Sequence, residues 1–177
     1  QSAALIQQVL DWSRELGFSS INLDLIVGLP KQTVASFSRT LEQVVAWAPD
    51  RLAVFSYAHV PWLKKHQNLI QEADLPDSAM RLGLHQAVNE ALGAAGYVNI
   101  GFDHFARPED ELVRAQRNKT LWRNFQGYTT HKDCDILAFG VSGISQTADV
   151  YMQNEKNLKR YEERIAATGF AVERGLK

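Results

Sequence analysis

The chain has 177 residues, 45% of them hydrophobic and 22% charged, a balance that belongs to ordinary globular proteins and excludes disordered and fibrous classes. Its 19 Lys and Arg stand against 20 Asp and Glu, a net charge of -1, so no overall field draws in nucleic acid or an acidic membrane. The single cysteine, Cys134, rules out a disulfide framework and any iron–sulfur site ligated by this chain's cysteines alone, and it fits a reducing, cytoplasmic setting.

The N-terminal QSAALIQQVLDW has no basic start followed by an apolar run, and no stretch reaches the roughly 18 apolar residues a membrane span needs. The absence of an initiator Met and a C-terminal AVERGLK that closes no element are read as marks of a fragment. Leu5, Val9, Trp12 and Leu16 recur at helical spacing before Gly17, which predicts a helix with one buried face. In SINLDLIVGLP, Ile21, Leu23, Leu25 and Val27 alternate with Asn22, Asp24 and Ile26, the period of a strand. Thr33 is the expected N-cap of a second helix carrying Val34, Phe37, Leu41, Val44 and Ala48, closed by Pro49.

Arg51 to Tyr57 reads as a second strand. Asp77 caps a helix carrying Met80, Leu84, Val88 and Leu92 that ends at Gly96, and YVNIGF follows as a third strand. This α-β-α-β-α-β order predicts an α/β fold with parallel strands, a barrel or a doubly wound sheet. Asp135 to Ser145 reads as a fourth strand with its following loop, and a last helix runs from about Asn154 to Gly169. The connections Ala58 to Pro76 and Asp103 to Asp133 are long enough to be candidate lids or substrate walls.

The strand period places Asn22 and Asp24 opposite the apolar face. A carboxylate there must find partners or lose its charge. Inward groups near strand C-termini line the active sites of (β/α) barrels, so Asp24 is a candidate for a hydroxyl or cationic ligand group; an internal Asp–Arg pair is the structural alternative. Tyr57-Ala58-His59, Asp103-His104 and Ser142-Gly143-Ile144-Ser145 follow three strands and would meet at one rim. His59, Asp103 and His104 offer metal or acid/base chemistry, although their spacing matches no compact metal motif. His131, Asp133 and Cys134 read as a polar turn rather than a ligand set, and Trp62 and Trp122 as loop residues that stack or simply pack. Arg107, Arg114, Arg117 and Arg123 belong to a solvated, mixed-charge stretch that also offers bidentate clamps for carboxylates.

Three segments, INLDLIVGLPKQT at Ile21 to Thr33, GFDHFARPEDEL at Gly101 to Leu112 and NFQGYTT at Asn124 to Thr130, with the strand-loop ending in FGVSGIS, together resemble the oxygen-independent coproporphyrinogen III oxidase family. These are radical S-adenosylmethionine enzymes of haem biosynthesis. The resemblance covers nearly the whole chain, in order. It implies part of a partial (β/α)6 barrel with the start of a C-terminal extension. Residues 1–102 then form βα units of the barrel, and 103–177 a long loop, the last strand and a helix leading to a C-terminal domain.

The same resemblance implies two S-adenosylmethionine molecules, a four-iron four-sulfur cluster, an electron donor and an electron acceptor. It also implies coproporphyrinogen III as substrate, two of whose propionates become vinyl groups to give protoporphyrinogen IX, in a cytoplasmic monomer without nucleic-acid or membrane partners. Carried over residue by residue, Asp24 and Ala58 contact the second S-adenosylmethionine and Ile144 the first. Neither Ala58 nor Ile144 has a polar side-chain group, so those contacts are backbone or van der Waals. The family's CxxxCxxC cluster motif is absent from the chain, which therefore carries no expected metal ligand or catalytic residue of its own and is expected to be inactive alone. Two other readings are a related haem chaperone without oxidase activity, and a metal-dependent barrel hydrolase using His59, Asp103 and His104.

Overall fold

Alternation of apolar and polar residues governs the first strand. In the computed structural model, which describes residues 2–177, β1 (Asn22–Val27) turns Leu23, Leu25 and Val27 toward the core and leaves Asn22, Asp24 and Ile26 exposed. Before it, α1 (Ala3–Glu15) starts at Ser2, whose hydroxyl accepts from the Leu5 N–H, and buries only Leu10. The buried face expected for this helix is therefore corrected. Leu5, Val9, Trp12 and Leu16 are exposed, because the described residues supply no element to cover that stripe.

The second helix follows its local signals. Thr33 caps α2 (Val34–Trp47) in a reciprocal capping box with Ser36, and Ala48 ends it in the left-handed region just before Pro49. β2 (Arg51–Ser56) then pairs parallel to β1, with Asp24 opposite Ala53. Asp77 accepts the Met80 N–H at 2.7 Å and opens α3 (Ser78–Ala94). Phe37, Leu41 and Val44 of α2 and Leu84, Val88 and Leu92 of α3 meet Val27, Leu52 and Val54 of the sheet in one buried cluster. Tyr97 joins it and donates its hydroxyl proton to the Pro49 carbonyl at 2.6 Å, while Arg107 lies over its ring.

Beyond α3 the parallel pattern stops. β3 (Val98–Gly101) turns at once into β4 (His104–Ala106), helped by Gly101 and by Phe102 at φ 48°. The sheet order is β1-β2-β4-β3, and β4 runs antiparallel to both its neighbours. A parallel neighbour needs a long crossover, so the strand reached by reversing over two residues runs antiparallel to β3, and it is this strand that lies beside β2. The connection after Asp103 is likewise structured rather than a loop, and it contains α4 (Glu111–Arg117). Asp110 accepts from the Leu112 N–H and from Arg51 Nε, both at 2.8 Å, and Arg51 also reaches Glu111. Burial disfavours the Arg51 charge; hydrogen bonds to Asp110 and Glu111 offset that and hold its pKa above the usual value. The Ala58 to Pro76 connection contains two short 3-10 turns, Lys65–Leu69 and Glu72–Asp74.

Gln1–Leu121 forms one compact unit and Trp122–Lys177 a second. In the second, β5 (Trp122–Arg123) and β6 (Tyr128–Thr129) make a hairpin. β7 (Ile144–Gln146), β8 (Tyr151–Asn154) and β9 (Val172–Leu176) make an antiparallel sheet. Between the last two, α5 (Leu158–Thr168) is capped by Asn157 and ends at left-handed Gly169. The expected strand from Asp135 to Ser145 is corrected. Gly140 and Ser142 take positive φ, so the segment doubles back and Ile136 bridges antiparallel to Gln146. The C-terminal residues also close an element after all, since β9 pairs with β8. No helix among the described residues is long and apolar enough to cross a membrane.

Candidate functional site

Helices α2 and α3 cover one face of the first unit's sheet, and the other face carries the polar positions of β1. Asp24, Ala53 and His104 are successive cross-strand partners on β1, β2 and β4, so their side chains share that face. At a strand spacing near 4.8 Å, Asp24 and His104 stand roughly 10 Å apart in backbone terms. Asp24 is exposed, and its Oδ1 accepts from Asn22 Nδ2 at 2.6 Å. Among the described residues no arginine pairs with it; the nearby Arg51 is engaged with Asp110 and Glu111. His104 Nδ1 lies 2.7 Å from Asp103 Oδ1, with the Phe55 ring edge-on to the imidazole.

Past the end of β2 the chain continues as Tyr57-Ala58-His59-Val60. Tyr57 still donates its N–H to the Val27 carbonyl, and Ala58 is exposed. Gln67, buried in the first 3-10 turn, bonds the backbone on both sides of His59, and His59 Nδ1 is buried without a hydrogen-bond partner among the described residues. Sequence reasoning missed Gln67: a polar residue in a long connection carries no periodic or motif signal.

Ile144 belongs to the second unit. With Phe125, Tyr151, Gln153, Arg174 and Leu176 it lines a groove of about 410 Å³ in which Phe125 meets Tyr151 edge to face. The turn before Ile144 is held closely. Gly140 N–H donates to Tyr161 Oη, Asn154 Nδ2 to the Gly140 carbonyl and Ser142 N–H to the Glu155 carbonyl. The buried Glu155 carboxylate accepts the N–H groups of Asn157 and Lys156, which hold its pKa below the usual value.

Other candidates are used structurally. Arg107 is placed on Tyr97 and the Pro49 carbonyl. On α4 the side chains of Arg114 and Arg117 are exposed while Leu112, Val113 and Ala115 are buried, a solvated helix face. Lys132 sits over the Trp122 ring, and Trp62 is exposed. Among the described residues no group of three or more His, Cys, Asp or Glu is placed to hold a metal ion. His59, Asp103 and His104 are therefore not gathered into one, nor are His131, Asp133 and Cys134.

The residues present suit S-adenosylmethionine. Asp24 is an exposed acceptor that suits a hydroxyl or ammonium group, and the segment at Ala58 holds a buried ring nitrogen, His59 Nδ1, with no hydrogen-bond partner among the described residues. They do not suit a four-iron cluster, which takes at least three cysteine ligands, whereas this chain has one cysteine, exposed.

No family model matches the chain. Over 176 residues, 99% of its length, it is 51% identical to the oxygen-independent coproporphyrinogen III oxidase of Salmonella typhimurium. Over all 177 residues it is 47% identical to the protein of that name from Synechocystis. It spans 38% of the length of each of these relatives. The solved structure of coproporphyrinogen III oxidase from Escherichia coli, described as a radical SAM enzyme, matches 99% of the chain with a TM-score of 0.91 and 49% identity; the chain covers 41% of that structure. The α/β architecture is thus similar to part of a structure of one class, the radical SAM enzymes. Within that class the likeness is to oxygen-independent coproporphyrinogen III oxidase, along the whole of this chain.

Proposed function

We propose that this chain is a segment of an oxygen-independent coproporphyrinogen III oxidase and contributes to a partial (β/α)6 barrel in the whole protein. Residues 1–102 supply βα units of that barrel, and 103–177 lead into a C-terminal extension. The observation that carries the reading is the 51% identity maintained over 99% of the chain. In the whole protein Asp24 and Ala58 hold the second of two S-adenosylmethionine molecules and Ile144 touches the first. When bound, these molecules supply the radical chemistry, while the protein supplies position and shielding. Asp24 accepts a hydrogen bond from a hydroxyl or ammonium group, Ala58 offers a surface without bulk, and Ile144 contributes apolar contact.

The substrate is coproporphyrinogen III, two of whose propionates each give up a side-chain hydrogen atom, an electron and their carboxyl group as carbon dioxide to become vinyl groups, with an electron donor and acceptor serving the reaction in the cytoplasm. The cluster's ligands lie outside these 177 residues. The test is anaerobic incubation of the full-length protein with coproporphyrinogen III, S-adenosylmethionine and a reductant. Two equivalents of carbon dioxide and protoporphyrinogen IX are the expected products. A full-length protein that retains haem and decarboxylates nothing overturns the proposal.

A further inference from the structure

We infer that Gln67 is a positioning residue for the second S-adenosylmethionine, fixing the Ala58–Val60 backbone against which that cofactor lies; the inference rests on the placement of Ala58 proposed above. Gln67 is only 8% exposed, although it sits in a surface connection where an amide would normally face water. Its Oε1 accepts the Val60 N–H at 2.6 Å and its Nε2 donates to the Ala58 carbonyl at 3.1 Å. A carbonyl and the N–H two residues on are the pair that one residue of a parallel neighbouring strand engages. The side chain therefore continues strand-like pairing beyond Ser56, where β2 ends.

Gln67 is itself held by the chain it serves. The Val60 carbonyl accepts the N–H groups of Leu63 and Lys64, and the Gln67 N–H donates to the Lys64 carbonyl. Val60 through Gln67 thus closes into a small ring of bonds that returns one amide to its starting point. Two consequences follow for the face at Ala58. Its carbonyl and the Val60 N–H are already engaged, so the backbone there keeps one conformation. The His59 ring is held beside Tyr57, with its buried Nδ1 lacking a hydrogen-bond partner among the described residues.

The test uses full-length protein under anaerobic conditions, with bound S-adenosylmethionine counted by equilibrium dialysis and folding followed by Tm. Gln67→Met keeps the length and removes both bonds, whereas Gln67→Glu keeps the acceptor and sets a carboxylate oxygen against the Ala58 carbonyl. Both variants are expected to bind the first molecule as the parent does and the second on the order of tenfold more weakly, the worth of about one net hydrogen bond. Parental affinity for both molecules in Gln67→Met overturns the inference. So does an equal loss at both sites with a lowered Tm, which is the mark of general support. Ala58→Leu separates the two claims. If it weakens the second molecule and Gln67→Met does not, only the role of Gln67 falls. If neither does, the placement of the cofactor at Ala58 falls first.

Discussion

Replacing Asp24 by asparagine in the full-length protein removes a charge while keeping the side chain's size. Oδ1 already accepts from Asn22 Nδ2 at 2.6 Å, so Oδ2 is the oxygen left for a ligand. A hydrogen bond to an ionised carboxylate contributes about 1.5–3 kcal/mol net, which corresponds to roughly a 10- to 150-fold weaker Kd when it is lost. Asp24 is exposed and makes no ion pair among the described residues, so the substitution should change folding stability by less than about 0.5 kcal/mol. Anaerobic equilibrium dialysis with labelled S-adenosylmethionine reads the affinity directly, and Asn22→Ala, which frees Oδ1 without touching the charge, should have a much smaller effect. Two molecules bound with parental affinity by Asp24→Asn, together with parental product formation, would refute the assignment of this face as the cofactor's seat.

Asp110→Ala removes both the cap of α4 and the bond to Arg51, and urea unfolding should show a loss of about 2–3 kcal/mol; an effect no larger than that of Glu111→Ala, whose half-exposed pair contributes under about 1 kcal/mol, would contradict this account of Asp110. Glu155 has its pKa depressed by the Asn157 and Lys156 N–H groups. The stabilisation it brings is present above its ordinary value near 4.5 and is lost as pH falls through its lower folded value. Hydrogen exchange at the Ser142 N–H, normalised for intrinsic rate, should therefore accelerate on acidification below that value, and an identical pH profile in Glu155→Gln would remove Glu155 as the cause. Anaerobic incubation of this 177-residue chain with iron and sulfide should give no stable four-iron absorbance, and a stoichiometric cluster would show that the ligand argument from one cysteine is mistaken.

What was legible in the sequence is what local chemistry decides. The alternation in β1, the caps Thr33 and Asp77 and the stop at Gly169 all depend on residues within a few positions of one another, and all are present. The insertion of β4 between β2 and β3 depends on which edge a hairpin meets, and no residue pattern within YVNIGF records that. The return of Ile136 onto Gln146 depends on two positive-φ positions, one of them Ser142, a residue type that gives little warning of a left-handed backbone. In the candidate site, strand period alone placed Asp24 on the uncovered face. Ala58 and Ile144 have no chemistry that a pattern can detect, and only the resemblance singled them out. Gln67 escaped both routes, since its role depends on a loop folding back over seven residues to meet Val60.

The surroundings of Asp24 bear on how strongly it can act. Ile26 on the same strand and Phe55 on the neighbouring one share its face and are both exposed. A sheet with apolar residues on both faces is the kind normally covered on both sides, and here α2 and α3 cover only one. A ligand lying over Ile26 and Phe55 would displace water from beside the carboxylate. That lowers the local dielectric and strengthens the hydrogen bond Asp24 makes. The loss in Asp24→Asn should accordingly fall toward the upper end of its range, and Phe55→Ala, which readmits water without removing an acceptor, should reduce the difference between parent and Asp24→Asn when the two substitutions are combined. Strictly additive effects in that double-mutant cycle would mean that the apolar neighbours do not act through the carboxylate.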